Sequence, residues 1–291
     1  MKVSATAPAR PAMRYYGGKW RIAPFIIKYL PHDHECYCEP FGGAASVLLR
    51  KSRSPLEVLN DLNGAVVNFF RVLREQPEKL IRAISLTPWA RAEYELAQEP
   101  SGDPLEEARR FYVSAWMGFG GGRAKWRQGW RYQVEAGTLW KPSSISFTET
   151  AHLYAVVDRL RGVQIECRDA LKVIKACDRP TTLFYLDPPY VHSTRSRWRD
   201  IYAVEMSDAD HEELANLALG LKGMVVISGY PSGLYTWLYE RHGWRRFETK
   251  ARTNGGGMIS SVPRTEAIWV SPRTLEALER ERSPLFGWAG V

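Results

Sequence analysis

No stretch of this 291-residue chain offers the roughly 18 uninterrupted apolar residues of a membrane span, and residues 1–12 lack the apolar run of a secretion signal. The expectation is a protein that stays in the cytoplasm. Cysteine is scarce: Cys36, Cys38, Cys167 and Cys177 are the four, and the C-x-C pair has no His or Cys partner at zinc-like spacing. Reduced thiols packed as small apolar residues are therefore expected, and no metal. Histidine is scarce too, and His192, His211 and His242 are isolated from one another in sequence and receive no role. There is no internal repeat.

What is present belongs to a folded protein with a polyanionic partner. Hydrophobic residues make up 45% and charged residues 25%, close to globular averages, so disorder is not the default. The length allows one large α/β domain carrying an insertion, or two small domains sharing a core. Forty basic against 32 acidic residues leave +8, which favours DNA, RNA or an anionic lipid surface without choosing among them.

Short apolar runs recur at 36–41, 56–59, 163–167, 182–186, 224–228 and 267–270, each ending in turn or carboxylate residues. Helical patterns separate several of them, for example 64–74 and 208–219, the latter opening on Ser207 with Asp210 three residues on, as in a capping box. This alternation predicts a doubly wound α/β sheet, in which ligands bind beyond the carboxyl ends of the strands. The alternation fails between about 76 and 161, where helical stretches at 104–117 and 148–160 flank a segment rich in Gly, Trp and Arg, so an inserted helical domain is expected. The expected organisation is a flexible lead-in over 1–12, a catalytic domain from 13–75 and 162–271, the insertion 76–161, and a short charged tail over 272–291 with a helical pattern from 275 to 282.

Four strand ends carry the candidate chemistry. Glu39-Pro40-Phe41-Gly42-Gly43-Ala44-Ala45-Ser46 enters a helix, and its small residues allow backbone to approach a ligand at that helix N-terminus; a mere tight turn is the alternative. Its pattern is not the G-x-G-x-x-G of dinucleotide enzymes. Asp61 stands about twenty residues later, placed to accept ribose hydroxyls or to cap a helix. Asp169 is placed likewise, within reach of an adenine amino group. Asp187-Pro188-Pro189-Tyr190 follows a buried run: two prolines stiffen the backbone and present a carbonyl, Asp187 adds an acceptor, and Tyr190 a flat face. Such a group suits an NH2 on an aromatic ring, the bland alternative being a rigid turn with a capping Asp.

At these residues the chain resembles the Dam-type, alpha-class adenine-specific DNA methyltransferases, phage and prophage members included. The resemblance spans about 13–270 and rests on Tyr15-Tyr16-Gly17-Gly18-Lys19, the 39–46 loop, Asn60-Asp61-Leu62-Asn63 and Asp187-Pro188-Pro189-Tyr190, with Ser228-Gly229-Tyr230 as a weaker marker. It implies a Rossmann-like mixed sheet of the S-adenosylmethionine-dependent methyltransferase type, interrupted by a DNA-recognition domain. It implies cofactor contacts from Tyr15, Tyr16, Gly17, Gly18 and Lys19; from Glu39, Pro40, Phe41, Gly42, Gly43 and Ser46 around the methionine moiety; from Asp61 and Leu62 at the ribose; and from Asp169 and Ala170 at the adenine. Many relatives carry Phe where this chain has Ala170.

The implied reaction moves a methyl from S-adenosylmethionine, leaving S-adenosylhomocysteine, to the N6 amino group of adenine in double-stranded DNA. Asp187 and the Pro188 carbonyl accept the amino hydrogens, and Tyr190 stacks on a base flipped from the duplex. No metal is needed, because a sulfonium methyl is already electrophilic. DNA would be held by Arg123, Lys125, Trp126, Arg127, Trp130 and Arg131 in the insertion and by Arg195, Arg197 and Arg199, cations neutralising phosphates and aromatics stacking on bases. The bland alternative for the first group is a solvated loop whose tryptophans pack on the helical domain. The expected enzyme is a monomer, with two copies on one DNA site as an alternative, and either solitary or the modifying half of a restriction pair. Cytosine N4 or RNA as acceptor stays open, as does a silent DNA-binding regulator, against which the intact Lys19, Asp61 and Asp187 argue.

Overall fold

The structure, a computed structural model, describes residues 8–119, 129–132, 142–195, 204–252 and 263–283. Seven strands form one mixed sheet: β1 (Cys36–Glu39), β2 (Leu56–Asn60), β3 (Val163–Glu166), β4 (Thr182–Leu186), β5 (Met224–Gly229), β6 (Arg245–Arg252) and β7 (Pro263–Val270), in the order β3-β2-β1-β4-β5-β7-β6. The first five are parallel, and β7 runs antiparallel between β5 and β6. β4 and β5 are buried at every position, as strands covered on both faces must be, which is why they read as continuous apolar runs. From β1 the chain winds outward through β2 and β3, then returns to place β4 on the other side of β1. The switch point between β1 and β4 is where a doubly wound sheet opens a ligand crevice.

The helices are α1 (Ala23–Ile27), α2 (Ser46–Arg50), α3 (Gly64–Glu75), α4 (Pro77–Leu86), α5 (Arg91–Leu96), α6 (Pro104–Met117), α7 (Ser143–Thr148), α8 (His152–Leu160), α9 (Ala170–Cys177), α10 (Asp208–Leu219), α11 (Gly233–Leu238) and α12 (Pro272–Arg282). Asn63 caps α3, Asp103 caps α6, and Ser207 with Asp210 forms the expected capping box of α10. The stretch expected as an insertion packs its α6 on α3 through aromatics: Phe69 lies 5.9 Å from Phe111 and 6.0 Å from Tyr112. A buried ion triad ties it to the sheet, with Arg159 of α8 bidentate on Glu57 of β2 at 2.6 and 2.8 Å and Lys51 on the same carboxylate at 2.8 Å. Breaking such a buried group by removing one partner typically costs about 3–5 kcal/mol.

Several elements differ from the sequence pattern. The expected single helix over 148–160 is two, α7 and α8, with Thr148 ending the first. Ala12 is fully buried and the Arg14 guanidinium lies 4.3 Å over Trp116, so the end of the expected lead-in is packed. The expected charged tail begins with α12, whose Thr274, Ala277 and Leu278 are buried and whose Thr274 Oγ1 accepts the Val225 amide at 2.8 Å. Strand β6 was not expected at all: its sequence RRFETKAR is the charged pattern of a sheet edge, which carries no apolar run to detect.

Candidate active site

Beyond the carboxyl ends of β1, β2 and β4 lies a cavity of about 310 Å³. Its wall is built by the loop after β1. Gly42 donates to the Asn60 carbonyl at 2.7 Å, and a Cβ there would come 2.9 Å from that same backbone oxygen, so only glycine lets the loop lie on β2. Gly43 follows at φ +47°, pressed against the Tyr15 ring. Asp61 fastens the loop: its carboxylate accepts the Gly43 amide at 2.7 Å and the Asn63 amide at 2.8 Å. The helix-cap reading of Asp61 is thus replaced by Asn63, whose side chain accepts from Ala65 at 3.0 Å. Asp169 does cap a helix, accepting the Lys172 amide at 3.0 Å, while also lining the cavity.

Every residue expected around a cofactor lines this one cavity: Tyr15, Tyr16, Gly17, Gly18 and Lys19, then Glu39, Pro40, Phe41, Gly42, Gly43 and Ser46, then Asp61 and Leu62, then Asp169 and Ala170. Asp187 and Pro189 reach it from the tetrapeptide, whereas Pro188 and Tyr190 are buried beside it. Val204, Glu205, Met206, Asp210 and Glu213 also line it and were not anticipated.

The catalytic candidates share one face of the sheet because side chains alternate along a strand. Tyr37 and Glu39 of β1, Tyr185 of β4 with Asp187 two residues on, Ser228 of β5 and Glu266 of β7 make a polar row across it. Tyr37 donates to Glu39 at 3.0 Å, and the Tyr185 and Ser228 hydroxyls pair at 2.7 Å. Lys19, 5% exposed, sits over this row with its ammonium 2.9 Å from Asp187, 2.7 Å from the Gly17 carbonyl and 4.5 Å from the Tyr190 ring centre. Tyr190 donates to Glu266 at 2.8 Å and meets Tyr230 edge-on, centroids 4.6 Å apart. The Arg264 guanidinium lies 5.3 Å over Tyr230.

Burial raises the Asp187 carboxyl to about 6, with Lys19 holding it from going higher. Burial likewise lifts Glu39 to about 8, opposed by the Tyr37 hydrogen bond, and raises Asp61. For Lys19 burial acts downward, but Asp187 and then Glu266 outweigh it and leave the ammonium raised. Lys19 stands as the one cation among the described lining residues, against Glu39, Asp61, Asp169, Asp187, Glu205, Asp210 and Glu213. In a chain of net charge +8, such a cavity favours a cationic ligand with hydroxyl or amino hydrogens to donate. The buried Ser46 hydroxyl, which has no hydrogen-bond partner among the described residues, offers one more polar contact there.

The expected DNA contacts divide. Arg123, Lys125, Trp126, Arg127, Arg197 and Arg199 lie outside the described residues. Arg195 differs from the expectation: it is 8% exposed, pairs with Glu205 at 2.8 Å and donates to the Tyr190 carbonyl, so it braces the site from within. Trp130 packs on the helical insertion, in the bland alternative, with Arg91 4.7 Å over its ring and a bridge to Gly118. Arg131 is half-buried and donates to the Gly118 carbonyl at 3.2 Å. Tyr132 is 65% exposed beside Trp130. Glu266 is the functional candidate that the sequence pattern concealed, because the apolar run it precedes starts at 267; a lone acid inside strand-forming residues was the available signal.

The sequence profile described as D12 class N6 adenine-specific DNA methyltransferase matches residues 15–250. The chain belongs to this family. Among curated relatives, the DNA adenine methylase of Escherichia coli K12 is 24% identical over 245 residues, covering 80% of this chain and 84% of the relative. The Type II methyltransferase M1.LlaDCHI of Lactococcus lactis is 24% identical over 273 residues, 89% of this chain and 94% of the relative. The DNA adenine methylase of Haemophilus influenzae is 25% identical over 222 residues, 73% and 75%. The cavity and the Asp187 carboxylate lie together at the switch point between β1 and β4. The mixed sheet is that of an S-adenosylmethionine-dependent methyltransferase, and no described helix is long and apolar enough to cross a membrane.

Proposed function

We propose that this D12-class enzyme transfers a methyl group from S-adenosylmethionine to N6 of an adenine flipped out of double-stranded DNA, by direct displacement and acting as a monomer. The observation that carries this reading is Asp187: a carboxylate buried at the end of a central strand, opposite one ammonium, on the edge of an acidic cavity. The residues present fit the donor. Asp61 supports the ribose-side wall, the small residues of 42–46 let backbone close on the amino-acid end, Asp169 stands toward the adenine, and the surplus of carboxylates matches a positive ligand. When bound, S-adenosylmethionine supplies a methyl group made electrophilic by the attached sulfonium.

The rest is the work of this chain. The lone pair of an adenine amino group is delocalised into the ring and is a poor nucleophile. Asp187 and the Pro188 carbonyl accept its two hydrogens, drawing the nitrogen toward tetrahedral geometry and freeing the lone pair. As the N–C bond would form, the S–CH3 bond would break and its electron pair would stay on sulfur, giving S-adenosylhomocysteine; the excess proton on nitrogen passes to the Asp187 carboxylate, raised to about 6, on its way to solvent. Lys19 keeps Asp187 ionised before that step. Tyr190, 4% exposed, is covered by Lys19 and Tyr230 in the free protein, so a base stacking on its ring must displace one of them. Arg123, Lys125 and Arg127, with Arg197 and Arg199, hold phosphates in this reading.

A map of methylated bases in DNA from cells expressing the protein tests the proposal. Adenine methylation at a defined sequence supports it; methylation at cytosine N4, or in RNA alone, overturns the acceptor.

A further inference from the structure

Glu266 is 8% exposed and lies on a strand that contributes nothing to the cavity lining. A carboxylate in that position is costly unless it is paired. Here its Oε2 accepts the Tyr190 hydroxyl at 2.8 Å, a bond that passes over β5 to join the end of β4 to β7, strands that are not neighbours. A charged acceptor makes this bond stronger and more directional than a neutral one. The consequence is a fixed ring: its face is turned to the Lys19 ammonium, and it stands at 78° to Tyr230. The main chain of the same residue is held from the other side, since Arg195 donates to the Tyr190 carbonyl and pairs with Glu205. Tyr190 is thus anchored at its hydroxyl and at its carbonyl by two carboxylate-based struts. Glu266 also lies C-terminal to the 15–250 stretch matched by the family profile.

We infer that Glu266 is a positioning residue for methyl transfer: by accepting the Tyr190 hydroxyl, it sets the orientation of the ring against which the acceptor base is placed and registers the catalytic tetrapeptide on β7. The inference rests on the function proposed above. Glu266 stands outside the cavity lining and acts by way of its bond to Tyr190, in addition to the charge it presents to Lys19 and Asp187.

The test uses the full-length protein and compares Glu266→Ala, Glu266→Gln, Tyr190→Phe and the double variant Glu266→Ala/Tyr190→Phe, by single-turnover methylation of duplex DNA, KM for DNA and thermal unfolding. Loss of a buried charge-assisted hydrogen bond should slow turnover of Glu266→Ala roughly ten- to a hundredfold, with KM for DNA changing much less. Glu266→Gln, whose amide oxygen still accepts, should recover most of the rate. In the Tyr190→Phe background, already slowed, Glu266→Ala should cost less than about threefold more, because the hydroxyl it served is gone. An equal loss in both backgrounds, a Gln variant as slow as the Ala variant, or a Tyr190→Phe enzyme at the wild-type rate each overturns the inference. The Gln and Phe variants keep the test decisive if Glu266→Ala fails to fold. A wild type that methylates adenine while all Glu266 variants match it defeats the inference alone; a wild type that methylates no adenine defeats the proposed function first.

Discussion

The Lys19 ammonium and the Asp187 carboxylate face each other at 2.9 Å, one delivered by the loop before α1 and the other by the end of β4, some 170 residues later in the chain. The pair is nearly closed to solvent: Lys19 and Asp187 side chains are 6% and 17% exposed. Two opposing effects meet in it, burial favouring the neutral acid and the ammonium favouring the carboxylate. The acidity of Asp187 is therefore a property of the pair.

Asp187→Ala removes an acceptor whose bond strengthens in the transition state. Turnover should fall by about a hundredfold or more, while affinity for S-adenosylmethionine changes much less. Parallel stopped-flow and calorimetric measurements check this; a comparable loss in both would make Asp187 a cofactor ligand instead.

The acid limb of the rate profile should follow Asp187. Because its carboxyl is raised to about 6 and the proposed mechanism uses the ionised form, kcat should fall as pH drops through that region. Lys19 lowers the Asp187 pKa, so Lys19→Gln should shift the limb to higher pH, measured at saturating cofactor. A limb that stays put or moves down contradicts the coupling.

Asp61→Ala should act on the cofactor side, weakening S-adenosylmethionine binding by about 1–3 kcal/mol through lost hydrogen bonds and a loosened 42–43 loop. Asp61→Asn keeps an acceptor for one amide and should retain part of the affinity. Unchanged affinity in Asp61→Ala, read by calorimetry, removes Asp61 from the cofactor wall.

The basic insertion should separate into contact and support. Replacing Arg123, Lys125 and Arg127 by Ala should flatten the salt dependence of DNA binding by up to about three ion equivalents, each phosphate contributing roughly 0.9 to the slope. Trp130→Ala should instead lower the melting temperature, because Trp130 packs under Arg91 on the helical insertion. A Trp130 variant that melts normally but fails to extrude adenine would return this residue to the DNA surface.

The buried centre of the fold was legible because burial on both faces turns β4 and β5 into apolar runs, and because capping residues such as Ser207 mark helix starts. The cavity was legible for a related reason: close approach demands glycine at 42 and 43, and acids at strand ends are conspicuous beside apolar runs. What stayed hidden depends on contacts across the chain. Nothing local distinguishes Arg195, buried on Glu205 and the Tyr190 carbonyl, from an arginine that meets phosphate. Nothing local marks Glu266 as the partner of Tyr190, 76 residues away. Strand β6 is paired only on one side, so its composition follows solvent and its register follows β7.

The most direct test of the account is the product nucleoside made in vitro. Purified protein, duplex DNA and labelled S-adenosylmethionine, followed by digestion to nucleosides, should yield labelled N6-methyl-2′-deoxyadenosine from the wild type and at least about a hundredfold less from Asp187→Ala. Label in N4-methylcytosine, or equal label from the two proteins, would contradict it.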